Sequence, residues 1–77
     1  MSKSAIRYAF YKASAKGIMN AKDLVREGVD RKLAFLVNYK SVMMGYIYAL
    51  LELGVIDHST HQEFTKEINT LYKMYTR

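Results

Sequence analysis

The fold turns on VREGVDRKLAFLVNYKSVMMGYIYALLEL, residues 25–53, an apolar stripe at helical spacing that no proline interrupts. Written as heptads, one seam runs through Val29, Leu36, Met43 and Leu50, and the other through Val25, Lys32, Tyr39, Tyr46 and Leu53. Leu33 and Ile47 flank this seam on one side, with Phe35, Val42 and Ala49 on the other. The arc expected to be buried is therefore wide. In a chain of 77 residues, two short neighbouring helices are too little to cover it, so a partner is expected.

Upstream, Ser4 to Lys16 reads as a first helix with a narrow stripe of Ile6, Ala9, Phe10 and Ala13. Lys16 and Gly17 look like a basic last turn with a C′ glycine. Residues 17–20 are then a linker, and Asn20 caps a second helix that starts at Ala21 with Asp23 in its first turn. Gly28 leaves two segmentations open. Either the helix runs through it, or 21–27 is a short helix and Asp30 caps the long one.

Downstream, Leu53, Gly54, Val55 and Ile56 form a helix stop of Schellman composition. Asp57, Ser59 or Thr60 can cap the last helix, whose stripe is Phe64, Ile68, Leu71 and Tyr75. The expected fold is all-α, one domain over 1–77, with helices at about 4–16, 21–53 and 59–76; a break at 28 gives four. The long central helix is packed by shorter N- and C-terminal helices, an antiparallel bundle completed by dimerisation.

Residues 1–40 carry nine Lys and Arg against three acids, and residues 41–77 carry three against four, so the halves are +6 and −1 within a net charge of +5. The basic half is expected to meet an acidic partner, whether nucleic acid, anionic lipid or an acidic protein surface. Residues 1–22 are free of acids and compositionally like a transit peptide, but removing them would take over a quarter of the chain, so they are expected to belong to the fold. The chain contains no cysteine. A small secreted domain without disulfides is unusual, and the cytoplasm is the expected compartment. Residues 35–53 approach the length of a membrane span, yet Asn38, Lys40, Ser41 and Glu52 lie among them. A buried core helix is the better reading.

The main candidate surface is the face of the first helix that carries Lys3, Arg7, Tyr8, Tyr11 and Lys12. Cations neutralise phosphates and tyrosines stack on bases, the usual construction of sequence-tolerant nucleic-acid binding. Within residues 23–40, Leu24, Gly28, Val29, Arg31 and Lys32 loosely resemble a helix-turn-helix, which implies Arg31, Lys32 and Asn38 as base or phosphate readers. Leu24 stands where alanine is usual, and the would-be recognition helix is very apolar. The interface between copies is expected at Val29, Leu36, Tyr39, Met43, Tyr46, Ile47 and Leu50, with Gly45 allowing close approach.

His58 and His61 have ligand spacing but no cysteine to complete a site, so no metal is expected. There is no nucleophile motif, isolated carboxylate pair or glycine-rich phosphate loop, so neither enzyme activity nor a cofactor is expected. In size and in lysine and tyrosine richness the chain is similar to short helical accessory proteins of phages and plasmids. The function expected is a non-enzymatic binding protein, a homodimer that regulates or inhibits a macromolecule. Nucleic-acid binding through the basic half is the alternative.

Overall fold

The computed structural model describes residues 2–77, and those residues are all-helical with no strand. Helix α1 is Lys3–Arg26. Helix α2 is Arg31–Glu52, with a π turn at Leu36–Lys40. Helix α3 is His58–Tyr75. The structure is elongated, 39 × 18 × 17 Å, with a radius of gyration of 12.8 Å.

The largest departure from expectation is α1. Its 24 residues pass straight through the expected linker at 17–20, so the first helix is longer than the 22-residue central one, and Asn20 is an interior residue, not a cap. The reason lies in Phe10, Ser14, Gly17 and Ala21, the buried positions of α1, which follow one another at steps of four, three and four. They form one helical stripe. A Cβ on Gly17 would come within 3.2 Å of both the Asn38 carbonyl oxygen and Tyr39 Cδ1. Gly17 is thus a point of close approach to α2, and it ends nothing. Capping comes instead from Ser2, whose hydroxyl accepts the Ala5 N–H at 3.1 Å.

Both of the other stops occur at glycines with positive φ, Gly28 at +100° and Gly54 at +72°. At the first, Gly28 N–H donates to the Val25 carbonyl and Val29 N–H to that of Leu24, both at 3.0 Å. At the second, Gly54 N–H reaches Leu51 at 3.1 Å and Val55 N–H reaches Leu50 at 2.9 Å. Each is a Schellman end, in which the left-handed glycine lets the chain turn and satisfy the last carbonyls. Asp30 then caps α2 through the Leu33 N–H at 3.1 Å, and Asp57 caps α3 through the Thr60 N–H at 2.8 Å. The break at residue 28 is therefore real.

The core side of α2 is Phe35, Tyr39, Met43 and Ile47, all 0–1% exposed. These residues are four apart, and in a regular α-helix each such step overshoots by about 40°, or roughly 120° across the series. The π turn, in which Ser41 N–H bonds back to the Leu36 carbonyl, winds off part of that drift. It keeps the four side chains on one side. Against them, Phe10 stacks on Phe64 with centroids 4.0 Å apart, and Phe35 stacks on Tyr75 at 5.3 Å. Buried Tyr39 shares a 3.0 Å hydrogen bond with Ser14, which meets the polar need of both hydroxyls. Burial raises the Tyr39 phenol above its ordinary pKa, and the Ser14 bond partly offsets this.

Candidate interaction surfaces

The residues expected at an interface between copies do not form an outer surface. Tyr39, Met43 and Ile47 are buried in the chain's own core, while Val29, Tyr46 and Leu50 are half-buried. Of the seven, only Leu36 is exposed. The heptad reading assumed a step of 3.5 residues where the core of α2 advances by four, so it named the inner side and left out the outer one.

That outer side is Leu33, Val37, Ser41, Gly45, Ala49 and Leu53, all exposed. Each lies two residues from the core series, about 200° around the helix. The line runs for about 30 Å without a charge. Beside it, Leu36, Val42 and Tyr48 are 42%, 55% and 58% exposed. From Leu33 to Leu53 there are two charged residues in all, and Lys40 is folded over the Tyr72 ring with its ammonium 4.9 Å from the centroid. The other, Glu52, lies near Tyr48 and holds the Tyr48 pKa above its ordinary value. A helix side that faces water normally carries its charges there. The accessible surface, 5298 Å², also exceeds the about 4,800 Å² expected of a compact monomer of this mass.

The expected binding residues of the basic half lie in two places. Near the start of α1, Arg7 turns toward α3, where it pairs with Glu63 at 3.2 Å and lies over the Phe64 ring at 5.6 Å. Tyr11 and then Glu63 favour its charged form, so its pKa is raised. Lys3 lies near Asp57, whose carboxyl is held below its ordinary value first by the Thr60 backbone N–H and next by the Thr60 hydroxyl. Lys3, Arg7, Asp57 and Glu63 line one open hollow of about 250 Å³, which therefore carries both signs of charge. Tyr8 and Lys12 are exposed, and Tyr11 is tilted against Phe10 at 5.6 Å.

Arg31 and Lys32 lie at the opposite end, beside the close of α1. There Lys22, Arg26 and Arg31 line a hollow of about 210 Å³ around Val25. Arg31 donates to the Tyr75 carbonyl at 3.5 Å, and the Lys22 ammonium lies 5.1 Å from the Tyr75 ring. Lys22 and Arg26 were not anticipated, because only the α1 extension through Gly17 brings them beside Arg31. Both hollows are smaller than the roughly 300 Å³ at which small-molecule pockets begin.

The helix-turn-helix expectation is corrected. Eleven residues before and after Gly28, Gly17 and Tyr39 are still in contact, so α1 and α2 run side by side, unlike the roughly 90–120° crossing of that motif. Asn38 is half-buried with its carbonyl against Gly17 and is not displayed to a groove. Among the described residues, no group of three His, Cys, Asp or Glu side chains converges; His58 is exposed and His61 half-buried. By length and composition Arg31–Glu52 is apolar enough to cross a membrane, with a mean hydropathy of 1.2 over its best window. Comparison with models of protein families, with curated proteins and with solved structures finds no match to this chain.

Proposed function

We propose that this protein is a non-enzymatic helical binding protein of the cytoplasm, a homodimer built on an antiparallel bundle, which regulates or inhibits a macromolecule by occupying it. The observation that supports this is the outer side of α2, about 30 Å of helix bearing large exposed apolar side chains and only Glu52 as a free charge. Water-exposed apolar surface on this scale is what association removes. Affinity capture from the native host with mass-spectrometric identification tests it, run in parallel for wild type and Val37→Glu. A partner held by wild type and lost from the variant supports the reading. Identical captures from both overturn it.

A second reading, nucleic-acid binding, has its own support in Lys22, Arg26 and Arg31 around one hollow and in the exposed Tyr8 and Lys12 of α1. Its test is binding to random DNA and RNA at 50 and 200 mM salt, since phosphate-driven affinity falls steeply over that range. Salt-insensitive or absent binding removes this reading.

A further inference from the structure

We infer that the outer side of α2 is covered by the same side of a second copy running in the opposite direction, with the twofold axis level with Met43. This rests on the reading that the outer side of α2 is an association surface, and it names the occupant. Three observations carry it.

The first is charge. Whatever covers this strip must itself be free of charge over about 30 Å, because an ion buried there without a partner is costly. An identical face meets that requirement by construction, as isologous contacts do. At one end of the strip the exposed Asp30, Arg31 and Lys32 leave a net positive charge, and at the other stands Glu52, with Asp57 beyond it near Lys3. A second copy laid antiparallel brings each basic end onto an acidic one. A parallel copy sets like charges side by side at both ends, which repels.

The second is shape. The line of six has its large residues, Leu33, Val37 and Leu53, toward the ends and Ser41, Gly45 and Ala49 between them. With the axis level with Met43, Leu33 faces Leu53, Val37 faces Ala49, and Ser41 faces Gly45. Large side chains meet at the ends, small ones meet at the crossing, and the helix axes can approach closely there.

The third is Gly45 itself. Among the described residues a Cβ built on it meets nothing within 4 Å, so none of them asks for glycine at a position where it weakens the helix. A second helix across the strip supplies the missing reason.

A lipid bilayer fits less well. The inner side of α2 is packed against α1 and α3, which carry exposed Lys12, Lys16, Glu63 and Lys66 along their lengths, and these would enter the hydrocarbon with a spanning α2.

The experiment uses the full chain, which has no native cysteine. Single-cysteine variants Val42→Cys, Leu33→Cys and Leu53→Cys are oxidised separately and in pairwise mixtures. Antiparallel packing predicts that Val42→Cys links to itself, and that Leu33→Cys and Leu53→Cys link only when mixed. In that arrangement the two copies of residue 33 are about 30 Å apart, far beyond the roughly 7 Å that a disulfide tolerates between Cα atoms. Self-linking of Leu33→Cys as fast as Val42→Cys overturns the proposal.

Sedimentation of wild type and Gly45→Leu, with helicity checked by circular dichroism, gives a second readout. A wild-type dimer and a helical Gly45→Leu monomer support the proposal. A wild-type monomer at every concentration overturns it, as does an undiminished dimer of Gly45→Leu. Flotation of wild type with phosphatidylcholine–phosphatidylglycerol vesicles in place of dimerisation assigns the strip to a membrane and also overturns it. The broader reading falls separately, when Val37→Glu retains every captured partner.

Discussion

Gly17 and Gly45 both lie in the interior of long helices, where glycine costs about 1 kcal/mol relative to alanine, and they differ in what stands opposite. Across from Gly17 are the Asn38 carbonyl and the Tyr39 ring, so close that even a methyl group would displace them. Opposite Gly45 the described residues offer nothing within 4 Å. The first glycine answers to a helix contact inside the chain, at the π turn. Its counterpart on the outer side of α2 has the same local composition, small residues among larger apolar ones, but no helix against it. A glycine in a helix is thus explained by its surroundings, and where the surroundings are empty the explanation is sought in another molecule.

Substituting the inner glycine gives the largest effect. Gly17→Val pushes branched carbons into the Asn38 and Tyr39 contact, and overpacking of this kind costs typically about 1–3 kcal/mol. In a chain whose total stability is on the order of 3–5 kcal/mol, chemical denaturation should show a large part of that stability lost, as a midpoint at a clearly lower denaturant concentration. A variant as stable as wild type would mean that α1 and α2 can separate at no cost, and the comparison would fail at its better-supported end.

Next is the polar pair that the Gly17 contact shelters. Tyr39→Phe leaves the hydroxyl of buried Ser14 without its 3.0 Å partner, which costs about 1–3 kcal/mol for an unmet buried group. Adding Ser14→Ala should restore part of that loss, because the unmet group is gone. Additive losses in the double variant would show that the two hydroxyls are not coupled.

Gly45→Ala should act in the opposite direction. Studied at concentrations low enough to keep the chain monomeric, it should gain about 1 kcal/mol, readable as a higher thermal midpoint. A loss of stability at that dilution would mean that the chain itself constrains Gly45, and the contrast with Gly17 would disappear.

These two positions also mark how far the sequence could be read. All-α character and the stop at Gly54 were readable, and the stop at Gly28 with Asp30 as its cap and Asp57 as the last cap stood among the alternatives, because each depends on neighbours within a turn. Gly17 was not, since a C′ glycine and a close-approach glycine share the same local pattern and differ only in what lies across from them. The heptad seam failed for a related reason. Its 3.5-residue step placed Leu36 inside and Val42 at the flank, whereas the core of α2 uses a four-residue step that a π turn makes tolerable. The basic residues were found but could not be grouped, because whether Lys22 joins Arg31 or Lys12 depends on where α1 ends.

The smallest effect sharpens the same contrast at the far end of the molecule, where local capping alone is at work. Asp57 accepts the Thr60 N–H at 2.8 Å, and that bond, followed by the Thr60 hydroxyl and the nearby Lys3, lowers its pKa from 3.8. A carboxyl depressed on folding binds its proton more weakly in the folded chain than in the unfolded one. Its contribution to stability is therefore complete above about pH 4, the ordinary aspartate range, and is lost as the pH falls through the lower folded value. Asp57→Asn keeps an oxygen acceptor for the cap but cannot titrate. The thermal midpoint of wild type should exceed that of the variant at pH 7, and the gap should close as the pH is taken down toward 2. Lys3→Ala should leave most of the gap in place, since the Thr60 hydrogen bonds are the larger cause. A gap unchanged from pH 7 to pH 2 would show that the charge of Asp57 contributes nothing beyond its role as an acceptor.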